Sequence, residues 1–223
     1  MTRTTLIVGA SRGIGLELAR QYLADGDRVF ATARNDESLA TLRALGARVL
    51  RLDVKDAASV SGLAWQVDGE AFDTVVVNAG VYGPSISALD TPTEADSDHV
   101  MHTNVLGPMR VIPQLAEALA PGARLGVISS RMGSLAMRTN GGVWLYRASK
   151  AAVNSVLKDA SFVLAGRAIC VALHPGWVRT DMGGADADLA VEDSVRDLRR
   201  TLAALTPADN GRFLNHDGQE LAW

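Results

Sequence analysis

Short apolar runs recur along the chain at Leu6–Val8, Val29–Ala31, Val49–Leu52, Val75–Val77, Leu125–Ile128 and Ile169–Leu173. Each is only a few residues long, mostly β-branched or Leu, and continuous rather than alternating, which is the pattern of a strand buried on both faces. Between them the apolar positions take helical spacing. Ile14, Leu18 and Tyr22 form one such stripe and Val153, Val156, Leu157 and Ala160 another. Strands alternating with amphipathic helices predict an α/β architecture, a parallel sheet covered on both sides. Right-handed crossovers make a doubly wound Rossmann fold the expected topology.

One helix start is signalled by Thr91-Pro92-Thr93-Glu94, with Thr91 as N-cap, Pro92 at the first helical position and Glu94 three residues after the cap. The acidic run from Glu94 to Asp98 then suits the positive end of that helix. The stretch Gly183-Gly184-Ala185-Asp186-Ala187-Asp188 breaks both periodicities and is expected to be a mobile loop. It is not a domain boundary, because the about forty residues after it are too few for an independent core. With 223 residues and no linker, repeat or low-complexity tract, one domain over residues 1–223 is expected.

Composition narrows the function classes. Lys plus Arg number 22 against 25 Asp plus Glu, a net charge of −3, which argues against a nucleic-acid or anionic-membrane binder. The single Cys170 excludes an internal disulfide, and one thiol with four His gives no metal-site spacing, so no metal and a reducing, cytoplasmic compartment are expected. Mid-strand, Cys170 reads as core. Leu6–Val8 is too short for a signal sequence or a membrane span.

Candidate chemistry begins right after the first run, at Gly9-Ala10-Ser11-Arg12-Gly13-Ile14-Gly15, opening onto a helix expected over Leu16–Ala24. Glycines at these positions allow a sharp strand-to-helix turn and let a pyrophosphate approach the helix N-terminus. In this strand–turn–helix setting the pattern predicts a dinucleotide site. At the end of the second strand, Thr32-Ala33-Arg34 lacks the carboxylate that holds an unphosphorylated ribose. Arg34, with Arg12 in the glycine turn, instead suits a 2′-phosphate, so NADP(H) is expected in preference to NAD(H).

The strongest signal is Tyr146-Arg147-Ala148-Ser149-Lys150, where positions i and i+4 place an ammonium beside a phenol on one helix face. The ammonium is expected to lower the phenol pKa from its usual value near 10. Upstream, Ser129-Ser130 ends a strand at the carboxyl edge, where a hydroxyl can polarise a carbonyl while Tyr146 supplies a proton.

Together these residues resemble the short-chain dehydrogenase/reductase family, in order and over nearly the whole chain. Asp53, followed by Val54, resembles the acid that contacts the adenine, and Asn78-Ala79-Gly80 resembles the family's N-A-G motif. Asn104 resembles the helix asparagine of a catalytic tetrad completed by Ser130, Tyr146 and Lys150. The segment Pro175, Gly176, Val178 and Thr180 resembles the one that holds the nicotinamide carboxamide. Ser129–Ser134, the run from Tyr146 and Gly211–Gly218 are similar to the C-factor and sniffer-like carbonyl reductase subgroup. The serine-to-tyrosine spacing is longer than is usual in the wider family, which leaves Ser134 as the alternative to Ser130.

The resemblance implies a single-domain Rossmann fold with a mostly parallel sheet of about seven strands, and a reductase of ketones or aldehydes. In it hydride comes from the nicotinamide, Tyr146 is the proton donor, Lys150 grips the ribose and Asn104 positions a water. It also implies a homodimer or homotetramer through the helices carrying Asn104 and Tyr146, and a substrate flap after Thr180 that is short here. Two rivals stay open: a cofactor-binding signalling protein on the same fold, and a metal-dependent hydrolase using His99, His102 or His174. Trp144 and Trp177 flank the expected site, either as pocket walls or as packing.

Overall fold

The computed structural model describes residues 2–84 and 89–223. Its first half runs β1 (Thr4–Val8), α1 (Gly13–Ala24), β2 (Arg28–Ala33), α2 (Asp36–Ala44), β3 (Arg48–Arg51), the short helices α3 (Ala57–Ser61) and α4 (Leu63–Gln66), and β4 (Phe72–Val77). The second half adds α5 (Glu94–Met101), α6 (Gly107–Leu115), β5 (Leu119–Ile128), α7 (Trp144–Val163), β6 (Ala168–His174), α8 (Val191–Ala204) and β7 (Arg212–Asn215). The seven strands form one sheet in the order β3-β2-β1-β4-β5-β6-β7, with every pairing parallel.

The continuous apolar runs exist because the sheet is buried on both faces. In β1, Leu6 and Val8 join the core that also holds Val111, Leu115, Val153 and Leu157 of α6 and α7. The intervening Ile7 packs with Leu18 of α1, Leu42 of α2 and Leu198 of α8 on the other side. Alternate residues of one strand thus feed two cores, which removes any polar alternation. From β1 the chain winds outward through β2 to β3, then returns to place β4 on the other flank of β1. That reversal leaves a crevice at the carboxyl ends of β1 and β4, where ligands bind in open α/β sheets.

Some boundaries differ from the sequence expectation. The N-cap of α5 is Thr93, not Thr91, so Pro92 lies outside the helix. Thr93 Oγ1 accepts from the Asp96 amide at 3.1 Å and donates to the Asp96 carboxylate at 2.6 Å, a reciprocal cap that fixes the start two residues later. The first helix begins at Gly13 rather than Leu16. Strand β7 coincides with no apolar run, because only Phe213 and Leu214 are apolar within Arg212–Asn215. The segment around Gly183 folds as turns, with the Gly183 and Gly184 amides both donating to the Thr180 carbonyl. Cys170 is fully buried in the α6/α7 core, as expected.

Candidate active site

The turn from β1 into α1 is built so that only glycine fits. Gly9 has φ +87°, and a Cβ there would lie 2.7 Å from the Ala79 backbone. The Gly9 carbonyl accepts from Asn78 Nδ2 at 2.6 Å and its amide donates to Thr32 Oγ1 at 3.0 Å, which ties the turn to β4 and β2. A Cβ on Gly15 would sit 2.1 Å from the Gly9 carbonyl oxygen, and one on Gly13 would meet Thr180 Cγ2 at 3.3 Å. The first turn of α1 has neither a side-chain cap nor an acidic residue. Its free N–H groups therefore face the crevice with no internal anion to neutralise them. By contrast α2 is capped by Asn35, whose Oδ1 accepts from the Ser38 amide at 2.9 Å.

A cleft of about 350 Å³ runs from this turn across the carboxyl ends of the strands. Its wall brings together most of the residues singled out in the sequence. Gly9, Ser11, Arg12, Gly13 and Ile14 form one end with Arg34, and Asp53, Val54 and Asn78-Ala79-Gly80 form the middle. Tyr146, Lys150, Pro175 and Thr180 close the other end. Gly15, Asn104, Ser130, Gly176 and Val178 are not on this wall; Val178 is buried and bridges to Leu189. Also on the wall, and not picked out from the sequence, are Thr32, Asn35, Lys55, Thr103, Arg179 and Met182. Thr32 had a readable signal, since it immediately precedes the strand end at Ala33-Arg34.

The two arginines at the glycine-turn end of the cleft sit differently. Arg12 Nη1 contacts Asp181 at 2.7 Å, a largely exposed ion pair that the sequence did not anticipate. Such a pair contributes little and can be exchanged for a stronger anion. Arg34 lines the cleft, and its carbonyl accepts from Arg51 Nη1 at 2.7 Å. The nearby Asp36 pairs with Arg51 through Oδ1 and does not line the cleft.

At the opposite end, α7 carries Tyr146 and Lys150 in its first two turns. Its N-cap Val143 has φ +40°, the one non-glycine residue with positive φ among the described residues. A β-branched residue in that region costs on the order of 1–3 kcal/mol, strain of the kind found beside functional side chains. Arg147 holds this entry through Nε to the Gly142 carbonyl at 3.0 Å and Nη2 to Asn140 Oδ1 at 2.6 Å. Gly133 then lets the loop after β5 lie on α7, because a Cβ there would approach the Lys150 backbone to 2.7 Å.

This contact sets the serine. Ser130, whose Oγ accepts from the Met132 amide at 3.2 Å, stands beside the Tyr146 phenol and lowers its pKa. Ser134 Oγ instead donates to the Trp223 carbonyl at 3.1 Å and accepts from the Met137 amide at 3.0 Å. Of the two serines, the geometry brings only Ser130 to the tyrosine.

The electrostatics correct one expectation. Burial pushes the Tyr146 phenol up to about 12; Ser130 draws it down and Tyr82 pushes it up again. Lys150 is not among these causes. Its Nζ donates to the Ile128 carbonyl at 2.9 Å and lies 5.7 Å from the Tyr146 ring centroid. Burial lowers Lys150 itself to about 8. The protein alone therefore keeps the phenol protonated, because desolvation outweighs the lowering by Ser130. Tyr82 was not read from the sequence, though it follows the N-A-G motif by two positions; its ring lies 4.7 Å from that of Tyr146.

Asn104 sits in a π-helical turn, His102–Leu106, joining α5 to α6. Its Oδ1 accepts from the Val81 amide at 2.8 Å, and its Nδ2 donates to the Val81 carbonyl at 2.8 Å and to Ser149 Oγ at 2.9 Å. Both amide hydrogens are thus committed, so the side chain ties the segment after β4 to α7 and keeps no donor for a water. Trp177 and Trp144 are half-exposed and off the cleft wall, and Trp177 Nε1 donates to the Gly183 carbonyl at 2.8 Å. His99 Nδ1 lies 3.2 Å from Lys55 Nζ, and His174 is buried and lowered to about 4, mainly by desolvation. Among the described residues no three His, Cys, Asp or Glu side chains form a group that could hold a metal ion. No helix of the described residues is long and apolar enough to cross a membrane.

Comparison with known proteins agrees with this geometry. Residues 3–188 match the short chain dehydrogenase family. C-signal of Myxococcus xanthus is 44% identical over 154 residues, covering 68% of this chain and 92% of that protein. Among solved structures, a short-chain dehydrogenase/reductase from Burkholderia multivorans with bound NADP superposes with a TM-score of 0.91 at 33% identity, covering 100% of both chains. The carbonyl reductase Sniffer of D. melanogaster gives a TM-score of 0.89 at 31% identity, again over 100% of both chains. With its glycine turn, parallel sheet and match over residues 3–188, the chain belongs to the short-chain dehydrogenase family.

Proposed function

We propose that this protein is an NADPH-dependent reductase of ketones or aldehydes. The observation that carries the reading is the placement of Tyr146, with Ser130 beside its phenol, and Lys150 at one end of a cleft whose other end is an uncapped helix N-terminus beneath glycines. The cleft fits a dinucleotide. A Cβ on Gly9 or Gly13 would crowd Ala79 or Thr180, so both glycines keep the backbone low where a pyrophosphate would lie. The α1 amides and Arg12 would receive the pyrophosphate, Arg34 the 2′-phosphate, Asp53 and Val54 the adenine, and Pro175 to Thr180 the carboxamide. When bound, the nicotinamide supplies the hydride for the carbonyl carbon.

The chain's own residues do the rest. Ser130 and Tyr146 bind the carbonyl oxygen and polarise it. Tyr146, kept protonated by burial, donates its proton to that oxygen as negative charge develops there. Lys150, fixed against the Ile128 carbonyl, holds the ribose and lends positive charge to the phenolate that forms. Asn104 is a positioning residue that locks the segment after β4 onto α7.

NADP in the Burkholderia multivorans structure and the carbonyl reductase activity in Sniffer's name support the reading. The likeness to C-signal supports a second one, a cofactor-binding signalling protein. A panel of ketones, aldehydes and quinones with NADPH, following cofactor oxidation, separates the two: turnover favours the reductase and binding without turnover the signal. For cofactor choice, wild type should bind NADPH more tightly than NADH, and Arg34→Ala should erase the difference. Equal affinities in wild type would refute the preference. The exposed Met109 on α6, with Phe162 and Val163 on α7, supports a homodimer or homotetramer, and the reduced Cys170 supports a cytoplasmic location.

A further inference from the structure

Beyond β7 the chain turns at Asn215–Gly218 and folds back along the strand. The Asn215 carbonyl accepts from the Gly218 amide at 2.9 Å and the Phe213 carbonyl from the Leu221 amide at 2.8 Å, while Leu214 bridges antiparallel to Glu220. Asp217-Gly218 supplies the turn, with Gly218 at φ +88°. The returning segment covers β7, the last strand of the sheet. It also brings the Trp223 ring onto that of Phe213, with centroids 5.4 Å apart and planes 25° from parallel. Lys158 Nζ of α7 lies 5.9 Å from the Trp223 ring centroid. Because Phe213 is fully buried, the Trp223 ring is seated on the core although it stays 37% exposed.

The main-chain oxygen of Trp223 meets a segment distant in sequence, the loop that leaves β5. It accepts from Ser134 Oγ at 3.1 Å, from the Leu135 amide at 3.1 Å and from the Ala136 amide at 3.0 Å. Among the described residues, every backbone–backbone hydrogen bond from residues 130–138 to a residue outside that loop ends on Trp223. Ser130 begins this loop, and its carbonyl accepts from the Gly133 amide at 2.8 Å. Gly133 in turn rests on the Lys150 backbone. The loop therefore hangs between two fixed points, α7 at Gly133 and Trp223 at Ser134–Ala136. A group that binds a reacting oxygen must be held closely, since a misplacement of about 1 Å can cost about 10²-fold in rate.

We propose that Trp223 is a positioning residue for carbonyl reduction: its ring, seated on Phe213, fixes the oxygen that holds Ser134, Leu135 and Ala136, and so sets where Ser130 stands relative to Tyr146. The inference rests on the proposed reductase activity. Trp223→Ala and Trp223→Phe test it, read by amide exchange and by steady-state kinetics well below the melting midpoints. Trp223→Ala should speed exchange of the Leu135 and Ala136 amides about tenfold, as their hydrogen bonds loosen. It should also lower kcat about tenfold, with KM for the carbonyl changing less and NADPH affinity unchanged. That loss is smaller than the about 10²–10³-fold of removing an oxyanion donor outright, because Gly133 still rests on α7. Trp223→Phe keeps a ring on Phe213 and should recover most of both readouts, which a general loss of stability would not separate from binding. Ser134→Ala removes one of the three donors and leaves the ring in place; it should lower kcat about threefold and carries the test if Trp223→Ala does not fold. Unchanged exchange or unchanged kcat in Trp223→Ala, or a Phe variant no better than the Ala variant, overturns the proposal while wild type still turns over. A wild type that reduces no carbonyl overturns the reductase reading together with it.

Discussion

Replacing Lys150 with Met removes a buried ammonium while keeping most of its apolar stem, and the consequence can be worked out from the structure. Burial lowers Lys150 from 10.5 to about 8. At 1.36 kcal/mol per pH unit, that gap is about 3 kcal/mol of penalty carried by the folded chain whenever the ammonium is charged. Below about pH 8 both folded and unfolded chains hold the proton and the full penalty applies. Between about 8 and 10.5 the unfolded chain binds more protons than the folded one, so stability rises with pH through that window. The Met variant feels none of this. Its constant offset is the loss of the bond to the Ile128 carbonyl, about 1–3 kcal/mol. The quantity to measure is therefore how the difference in unfolding free energy changes with pH. Urea melts of both proteins at pH 7 and pH 10, without added nucleotide, should show wild type gaining about 2–3 kcal/mol on the variant. A difference that does not change with pH, or that moves the other way, would refute the claim that Lys150 is held charged against its desolvation.

Two further outcomes follow from single residues. Gly9→Ala forces a side chain into a left-handed backbone 2.7 Å from Ala79; it should cost at least about 1 kcal/mol of stability and abolish NADPH binding, read by thermal melts and titration. Cys170 is fully buried and its thiol is pushed up to about 11, so native protein at pH 8 should resist iodoacetamide and urea-unfolded protein should react at once. Rapid native labelling would mean that β6 opens.

Much of this was legible from residues alone, for identifiable reasons. Six strands announced themselves because burial on both faces makes continuous apolar runs. The seventh, β7, escaped because two apolar residues between Arg212 and Asn215 carry no period. The helix start near Thr93 was visible, but two threonines each followed by an acid three residues on could not be told apart without the backbone. The glycine turn, Tyr146 and Lys150 were readable because their chemistry depends on short local spacing. What stayed hidden depended on burial or on distant contacts. The upward push on the Tyr146 phenol, the Asp181 contact of Arg12, the Tyr82 ring on Tyr146 and the diversion of Ser134 to Trp223 all join segments far apart in the chain.

The central claim, that Tyr146 donates the proton, is tested most directly by Tyr146→Phe. The substitution keeps the ring against Tyr82 and removes only the hydroxyl that meets Ser130. With NADPH and a carbonyl that wild type reduces, the account predicts a fall in kcat of about 10²–10⁴-fold, the usual worth of a positioned acid, with NADPH affinity unchanged. Turnover that survives the substitution would contradict it.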